Sequence, residues 1–168
     1  MTAEVVTNTT IPVRHVKIEL PQTFEHARAT FESILPKFDG RISNLLREGE
    51  FEGAREKLES GPELAIFQSR DHGNVLKVAG LARKALQYDV GNPLTASRMT
   101  RHQLAAALYA PFRVVLYENE NSHAVFEYDK PSSLFGQFGD KEVLAVAQTL
   151  DAAIERTLQQ VSKASLNK

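Results

Sequence analysis

The stretch RVVLYENENSHAVFEY, residues 113–128, decides the fold that this sequence predicts. Two runs rich in β-branched and aromatic residues, Arg113–Glu118 and Ala124–Tyr128, flank the polar segment Asn119–Ser122. Two such runs around a short polar turn are typical of an antiparallel hairpin. We therefore expect an antiparallel sheet built around this pair of strands.

Three earlier segments extend the sheet. Val13–Leu20, Leu64–Ser69 and Ala85–Val90 each have the length and the apolar content of a strand. The string GNP at 91–93 marks a turn after the third of them. The sequence therefore predicts five strands.

Two amphipathic helices complete the fold class. Thr23 is placed to cap the first, whose apolar residues share one face before Pro36 ends it. Asp140 is placed to cap the last and longest helix. Its apolar stripe consists of Val143, Leu144, Ala147, Leu150, Ile154, Leu158 and Val161. Antiparallel strands with helices on one face form an α+β fold, here helix-grip-like, with one strand, one helix, four strands and one helix.

Small helices are inserted into this order. Residues 37–63 predict a helical excursion in which Ser43 caps a short turn. Asp71 is placed to cap a further short helix that stops at Gly80. Residues 95–107 also have helical character.

The length of 168 residues suits a single domain. We expect that domain to cover residues 11–162, with a flexible N-terminus over 1–10 and a flexible tail over 163–168. A fold of this kind often leaves a cavity between the long helix and the concave sheet, and such a cavity can hold a small molecule.

The composition argues against several classes of protein. Hydrophobic residues make up 42% and charged residues 24%, which is the balance of a globular chain. The formal net charge of -1 lacks the basic excess typical of nucleic-acid binding, and no apolar run is long enough for a membrane span. The chain starts without a signal peptide and holds no cysteine, so we expect a cytoplasmic protein without disulfides or thiol chemistry.

The sequence predicts neither a metal site nor a cofactor. The five histidines are scattered along the chain rather than spaced as metal ligands. No phosphate-binding glycine motif, zinc-protease motif or serine nucleophile elbow occurs. The expected partner is therefore a small molecule held by side chains alone.

A first group of candidate site residues lies in TASRMTRH, residues 95–102. Arg98, Arg101 and His102 are spaced to share one face of a helix. Arginines there could bind a carboxylate or phosphate through paired hydrogen bonds, and His102 could act as a general acid or base. The alternative is a solvated helix face, which is the commoner situation for charged residues.

The string Asp71-His72-Gly73 contains a second candidate. The unperturbed pKa of histidine lies near neutrality, so His72 could move a proton in catalysis. The alternative is structural, with Asp71 as a helix cap and His72 as an ordinary surface or core residue.

A third group follows the last strand. Tyr128 and Asp129 could orient a ligand, Asp129 could hold a histidine tautomer in catalysis, and Phe135 could supply an apolar wall. The alternative is an ordinary turn in which Asp129 bonds its own backbone. The remaining predicted ligand-binding residues are Asn92, Ser132 and Ser133.

Four strings connect these residues to a known family: DHG at 71–73, QYDVGNPLTASRMTRH at 87–102, LYAPFRVVLYE at 108–118 and FEYDKPSSLFGQFGD at 126–140. Together they resemble the domain of unknown function 302 family, from about Ile11 to the final helix. The resemblance implies a compact α+β unit but no agreed activity, and nothing is transferred to residues 37–63. The family-like positions are Asp71, His72, Gly73, Gly91, Asn92, Pro93, Arg98, Met99, His102, Tyr109, Pro111, Arg113, Tyr128, Asp129, Pro131, Ser132 and Ser133.

Two functions stay open at this point. In the leading hypothesis the sheet–helix cavity binds a small polar or anionic metabolite, as a binding module or as a cofactor-free isomerase, lyase or hydrolase. Arg98 and His102 would then face the same cavity as Tyr128. Asp129 would share it, with His72 nearby. The alternative is a non-enzymatic interaction protein that forms a homodimer or binds a partner through its surface.

Overall fold

The computed structural model describes residues 4–164, so the predicted flexibility of residues 1–3 and 165–168 lies outside the described part. Five antiparallel strands form one sheet in the order β1-β5-β4-β3-β2. The strands are β1 His15–Leu20, β2 Ala65–Asp71, β3 Ala85–Gly91, β4 Phe112–Glu118 and β5 Ala124–Asp129. The predicted hairpin is confirmed as β4 and β5, with Leu116 opposite Phe126.

The described helices are α1 Phe24–Ile34, α2 Gly40–Glu48, α3 Phe51–Glu59, α4 His72–Leu76, α5 Pro93–Thr100, α6 Pro131–Phe135 and α7 Lys141–Ala164. Short 3-10 turns come after α4, α5 and α6. The predicted order of the major elements and the α+β fold class are confirmed. Within residues 4–164 no helix is both long enough and apolar enough to cross a membrane.

The hydrophobic core lies between one face of the sheet and the helices α1 and α7. Successive side chains of a strand point to opposite faces, and Tyr88, Val114 and Phe126 are fully buried on the helix side. The ring of Phe31 in α1 lies 5.1 Å from that of Tyr88 and 5.2 Å from that of Phe126. Burying one large apolar side chain contributes about 1.5–3 kcal/mol, so this aromatic cluster holds α1 across the sheet.

The last helix follows the prediction made from its stripe. Asp140 caps it, because its carboxylate accepts hydrogen bonds from the backbone N–H groups of Glu142 at 2.8 Å and Val143 at 3.1 Å. The buried stripe residues are Val143, Ala147, Leu150, Ile154, Leu158 and Val161. The long amphipathic helix is therefore fixed by burial of its apolar face.

The opposite face of the sheet is polar. His15 of β1 stands opposite Asp129 of β5, and Lys17 stands opposite Glu127. The residues between them in sequence point into the core, since the side-chain period of a strand is two. The position of Asp129 on this polar face bears on the site, because the sequence suggested that Asp129 would enter the cavity on the core side.

Two helix boundaries differ from the prediction. α2 begins at Gly40 because Asp39, rather than Ser43, caps it by accepting a hydrogen bond from the N–H of Arg41 at 3.0 Å. Residues 95–107 have the predicted helical character, but the extended conformation of Gln103 divides them into α5 and a following 3-10 helix.

The segment after β5, for which an ordinary turn was the alternative interpretation, forms the short helix α6. The carboxylate of Asp151 in α7 accepts a hydrogen bond from the backbone N–H of Ser132 at 2.9 Å. A side chain nineteen residues away therefore satisfies a free N–H group of the first turn of α6. A long-range contact of this kind has no local signature.

Candidate ligand-binding cavity

An apolar cavity of about 290 Å³ lies where β3 runs into α5. Its walls come from the ends of β2, β3 and β4, from α5, from residues 109–111, and from α6 and α7. The larger apolar side chains in these walls are Phe67, Val90, Met99, Phe112, Phe135 and Leu150. No charged side chain lines this cavity.

Asn92 builds the corner at which β3 becomes α5. Its side-chain oxygen accepts hydrogen bonds from the N–H groups of Leu94 at 2.8 Å and Thr95 at 3.2 Å, and its side-chain nitrogen donates to the carbonyl of Pro62 at 3.0 Å. Pro93 occupies the first turn of α5, where its missing N–H is not needed. Asn92, which was predicted to bind a ligand, therefore lines the cavity. Its side-chain amide already makes hydrogen bonds within the protein.

The other polar residues of the lining are Ser97, Thr100 and Tyr109, each of which carries a hydroxyl group. Ser97 donates to the carbonyl of Leu94 at 2.7 Å, and Thr100 donates to that of Ala96 at 3.1 Å. The hydroxyl of Tyr109 makes no hydrogen bond with any residue from 4 to 164. Tyr109 is therefore the lining residue best able to offer a polar contact to a ligand.

Aromatic rings fix one side of the cavity. The ring of Tyr109 lies 6.0 Å from that of Phe135 in an edge-to-face arrangement and 6.3 Å from that of Phe138. Such contacts restrain the rings in addition to the burial of their area. Phe135, one of the predicted ligand-binding residues, is fully buried and forms part of this wall.

Arg98, Arg101 and His102 do not line the cavity. All three are exposed, and α5 ends at Thr100, before the second arginine and the histidine. Met99, between them in sequence, is 1% exposed and faces the cavity instead. The helix is therefore shorter than predicted, and an anion bound by these three residues would lie on the protein surface.

Tyr128 and Asp129 lie on opposite faces of the sheet. Tyr128 is 3% exposed in the core, where burial and then the charges of Glu155 and Asp151 raise its pKa to about 12. Asp129 lies on the polar face, and its carboxylate is bonded to the ring nitrogen Nδ1 of His15 at 2.8 Å. The strand extends through Asp129, so these neighbours cannot enter one cavity as expected from the sequence.

The two serines after β5 have structural contacts. The N–H of Ser132 donates to Asp151, as described above. The hydroxyl of Ser133 donates to the carbonyl of Lys130 at 2.7 Å and accepts from the N–H of Arg14 at 3.0 Å. Neither serine lines the cavity.

Two residues of the DHG string, Asp71 and Gly73, have structural contacts. Asp71 caps α4 by accepting a hydrogen bond from the N–H of Asn74 at 2.8 Å. Gly73 is buried against the backbone of Arg83. His72 is exposed and does not line the cavity.

The polar face of the sheet holds a cluster that sequence reasoning did not find. His15 bonds Asp129 through Nδ1 and Glu127 through Nε2, the latter at 2.7 Å, and Tyr117 donates to Glu127 at 2.6 Å. Hydrogen bonds with Asp129 and then Glu127 raise the pKa of His15. The sequence signal for this cluster was that His15 and Lys17 alternate along one strand and lie opposite two acidic residues of another.

A second cavity of about 280 Å³ adjoins the first. It lies between residues 36–39, α2, α3 and the same corner at Gly91, Asn92 and Pro93. The excursion at residues 37–63 therefore folds against the corner that carries the first cavity. This packing could not be predicted from the sequence. Apolar residues such as Ile42 and Leu58 indicate that a helix has a buried face, but they do not indicate which element covers that face.

The described residues contain no group of three or more histidine, aspartate or glutamate side chains that could hold a metal ion. The predicted independence from metals stays a prediction, which chelation can test.

The fold and cavity define an α+β protein with an antiparallel sheet, helices on one face and an apolar cavity at the sheet end. A family model described as "Domain of unknown function DUF302" matches residues 50–161, more than half of the chain. The chain therefore belongs to this family, which confirms the resemblance inferred from its strings. Residues 11–49, where we also expected resemblance, lie outside the match.

A solved structure supports the same fold. The chain is similar to the crystal structure of an uncharacterized conserved DUF302 protein from Bacillus stearothermophilus, with a TM-score of 0.64. The two are 15% identical, and the similarity covers 88% of this chain and 97% of that one. No curated protein matches the chain.

Proposed function

We propose that this protein binds a small apolar molecule in the cavity at the β3–α5 corner. The observation that carries the proposal is a cavity of about 290 Å³ whose lining holds no charged side chain. Pockets that bind small molecules are mostly apolar, with a few polar groups that fix orientation. Here Tyr109 is the proposed polar contact, and Met99 supplies an adaptable apolar wall.

The geometry supports binding better than acid–base catalysis. The lining holds no histidine, aspartate, glutamate or lysine, so the cavity supplies no general base of the usual kind. His72 and His102, the predicted proton-transfer residues, are exposed and lie outside its lining. Arg98 and Arg101 are outside it as well, so the proposed ligand of this cavity is apolar rather than polar.

Fluorescence titration with N-phenylnaphthylamine, an apolar probe, tests the proposal. The chain contains no tryptophan, so the probe signal is free of indole emission. Ala96→Leu would place added methyl groups in the cavity, and we expect at least about tenfold weaker probe binding. Arg98→Ala is the matched control, because Arg98 is exposed on the same helix outside the cavity, and it should bind as the unchanged protein does.

Thermal melting shows whether each variant folds. Equal probe binding by the Ala96→Leu variant and the unchanged protein would contradict the proposal, as would a complete lack of binding by the unchanged protein.

A second candidate function, self-association as a homodimer, is favoured by one observation. Leu104 and Leu108, in the 3-10 helix after α5, are 81% and 77% exposed. A second copy of the chain could cover both. Sedimentation velocity of a Leu104→Ser, Leu108→Ser variant tests this, and a monomeric unchanged protein would exclude it.

A further inference from the structure

The two cavities share walls. Gly91, Asn92 and Pro93 line both of them. Phe38, which lines the second cavity, stacks on Phe67, which lines the first, with ring centroids 4.5 Å apart and ring planes inclined by 15°. At about 290 and 280 Å³, each lies near the lower limit of the roughly 300–1,000 Å³ typical of ligand pockets, so a longer ligand would extend from one cavity into the other past the shared residues Gly91, Asn92 and Pro93.

The two cavities differ in charge. The first has no charged lining residue, while Lys37, Lys57 and Asp39 line the second. The carboxylate of Asp39 is already bound by Arg41 at 2.7 Å, and hydrogen bonds from Arg41 lower the pKa of Asp39 to about 2. Arg41 therefore pairs with the negative charge in the second cavity, and the charge of Lys57 lowers the pKa of Asp39 to a smaller extent.

The two lysines of the second cavity keep their charge available. The lysines that form ion pairs within residues 4–164 are Lys17, Lys84 and Lys130. Lys37 and Lys57 are exposed and have no such partner there. The second cavity thus offers two ammonium groups next to an apolar space.

The backbone that carries Lys37 is anchored to the sheet. The N–H of Ile66 donates to the carbonyl of Pro36, and the N–H of Phe38 donates to the carbonyl of Ile66, both at 2.9 Å. Lys37 therefore pairs with the edge of β2 as a short parallel bridge. A charged group on such a segment is better positioned than one on a free loop.

We propose that the ligand is a long-chain carboxylate whose apolar chain fills the first cavity and whose carboxylate lies beside Lys37 and Lys57 in the second. This proposal rests on the proposed function of the first cavity and names the class of molecule that it binds. It gives the excursion at residues 37–63 a role, since both lysines belong to it. An apolar chain matches the uncharged walls of the first cavity, and a carboxylate matches the second cavity, where two lysines outnumber the one aspartate.

Displacement of bound N-phenylnaphthylamine by laurate, lauryl alcohol and hexanoate tests the proposal with the full chain. Laurate and lauryl alcohol have the same chain length and differ in charge, whereas hexanoate keeps the charge on a shorter chain. We expect laurate to compete best. In a Lys37→Gln, Lys57→Gln variant, laurate should bind about fivefold more weakly, which corresponds to the upper end of the effect measured for solvent-exposed ion pairs. The binding of lauryl alcohol should be unchanged in this variant.

Lys163→Gln is the matched control, because Lys163 is exposed at the end of α7 and lines neither cavity. Equal competition by laurate and lauryl alcohol, or an unchanged laurate affinity in the double variant, would overturn the carboxylate proposal. Equal competition by hexanoate and laurate would overturn the use of both cavities. In each case probe binding would still support the proposed function, which fails separately if the probe itself does not bind.

Discussion

The backbone of Gly73 lies directly against the carbonyl oxygen of Arg83, in a space that a Cβ atom would have to share. A Cβ at position 73 would also stand 3.0 Å from the backbone nitrogen of Ala85. This contact joins the start of α4 to the segment that leads into β3. It explains why the DHG string needs a glycine at its third position.

Gly73→Ala should destabilise the protein. Both neighbouring atoms belong to the backbone and cannot rotate away, so the segments must separate, at a cost of about 1–3 kcal/mol in the free energy of unfolding. Urea denaturation measures this. Gly40→Ala is the control, because a Cβ there meets no atom within 4 Å, and its effect should stay within about 0.5 kcal/mol.

Ile154→Ala should remove part of the core beneath α7. Ile154 is fully buried, so its truncation leaves a cavity and should lower the free energy of unfolding by about 2–5 kcal/mol. Gln159→Ala, on an exposed position of the same helix, should have little effect. Similar losses for the two variants in urea denaturation would show that the packing described for α7 is wrong.

Asp151→Ala should weaken the junction of α6 and α7. The change leaves the N–H of Ser132 without its acceptor, which should cost about 1–3 kcal/mol in the free energy of unfolding. Glu155→Ala, one turn further along α7, removes only a half-exposed ion pair with Lys130 and should cost less than about 1 kcal/mol. Thermal and urea unfolding of both variants provide the comparison, and equal losses would argue against the capping role.

His15 should titrate above its ordinary value of 6.5, because hydrogen bonds with Asp129 and Glu127 favour its charged form. A raised pKa in the folded state means that these bonds stabilise the protein fully below 6.5 and that this stabilisation is lost as pH rises through the raised value. NMR titration of the ring protons measures the midpoint. Asp129→Asn should move it back toward 6.5, and a midpoint at or below 6.5 in the unchanged protein would contradict the structure.

Chelation should leave the melting temperature unchanged. A structural metal contributes folding free energy directly, so removing one with EDTA would lower the melting temperature by several degrees. The described residues offer no group of ligands for such a metal. A marked drop in melting temperature after EDTA treatment would show that the protein holds a structural metal.

Part of the candidate site was predictable from the sequence. Asn92 and Phe135 were expected to contact a ligand, and both line the apolar cavity, whereas the binding itself stays a prediction. Arg98 was placed with them because of its spacing from His102, but Met99 is the residue of that run that faces inward. The orientation of α5 depends on its contacts with neighbouring elements. The spacing of residues within one short helix carries no information about those contacts.

The sequence by itself determined the elements whose signals are local. The β4–β5 hairpin follows from two apolar runs around a polar turn, and α7 follows from its stripe and from Asp140 as cap. These features depend on residues a few positions apart, where strand and helix periodicity and hydrogen bonding act directly.

Only the tertiary structure decided which side chains meet. Extension of β5 by one residue sent Asp129 to His15 and left Tyr128 in the core. The stacking of Phe38 on Phe67 joined the excursion to the sheet and gave the apolar cavity a charged neighbour. These contacts join segments far apart in sequence, so they arise from the packing of completed elements against one another and leave no periodic trace in the chain.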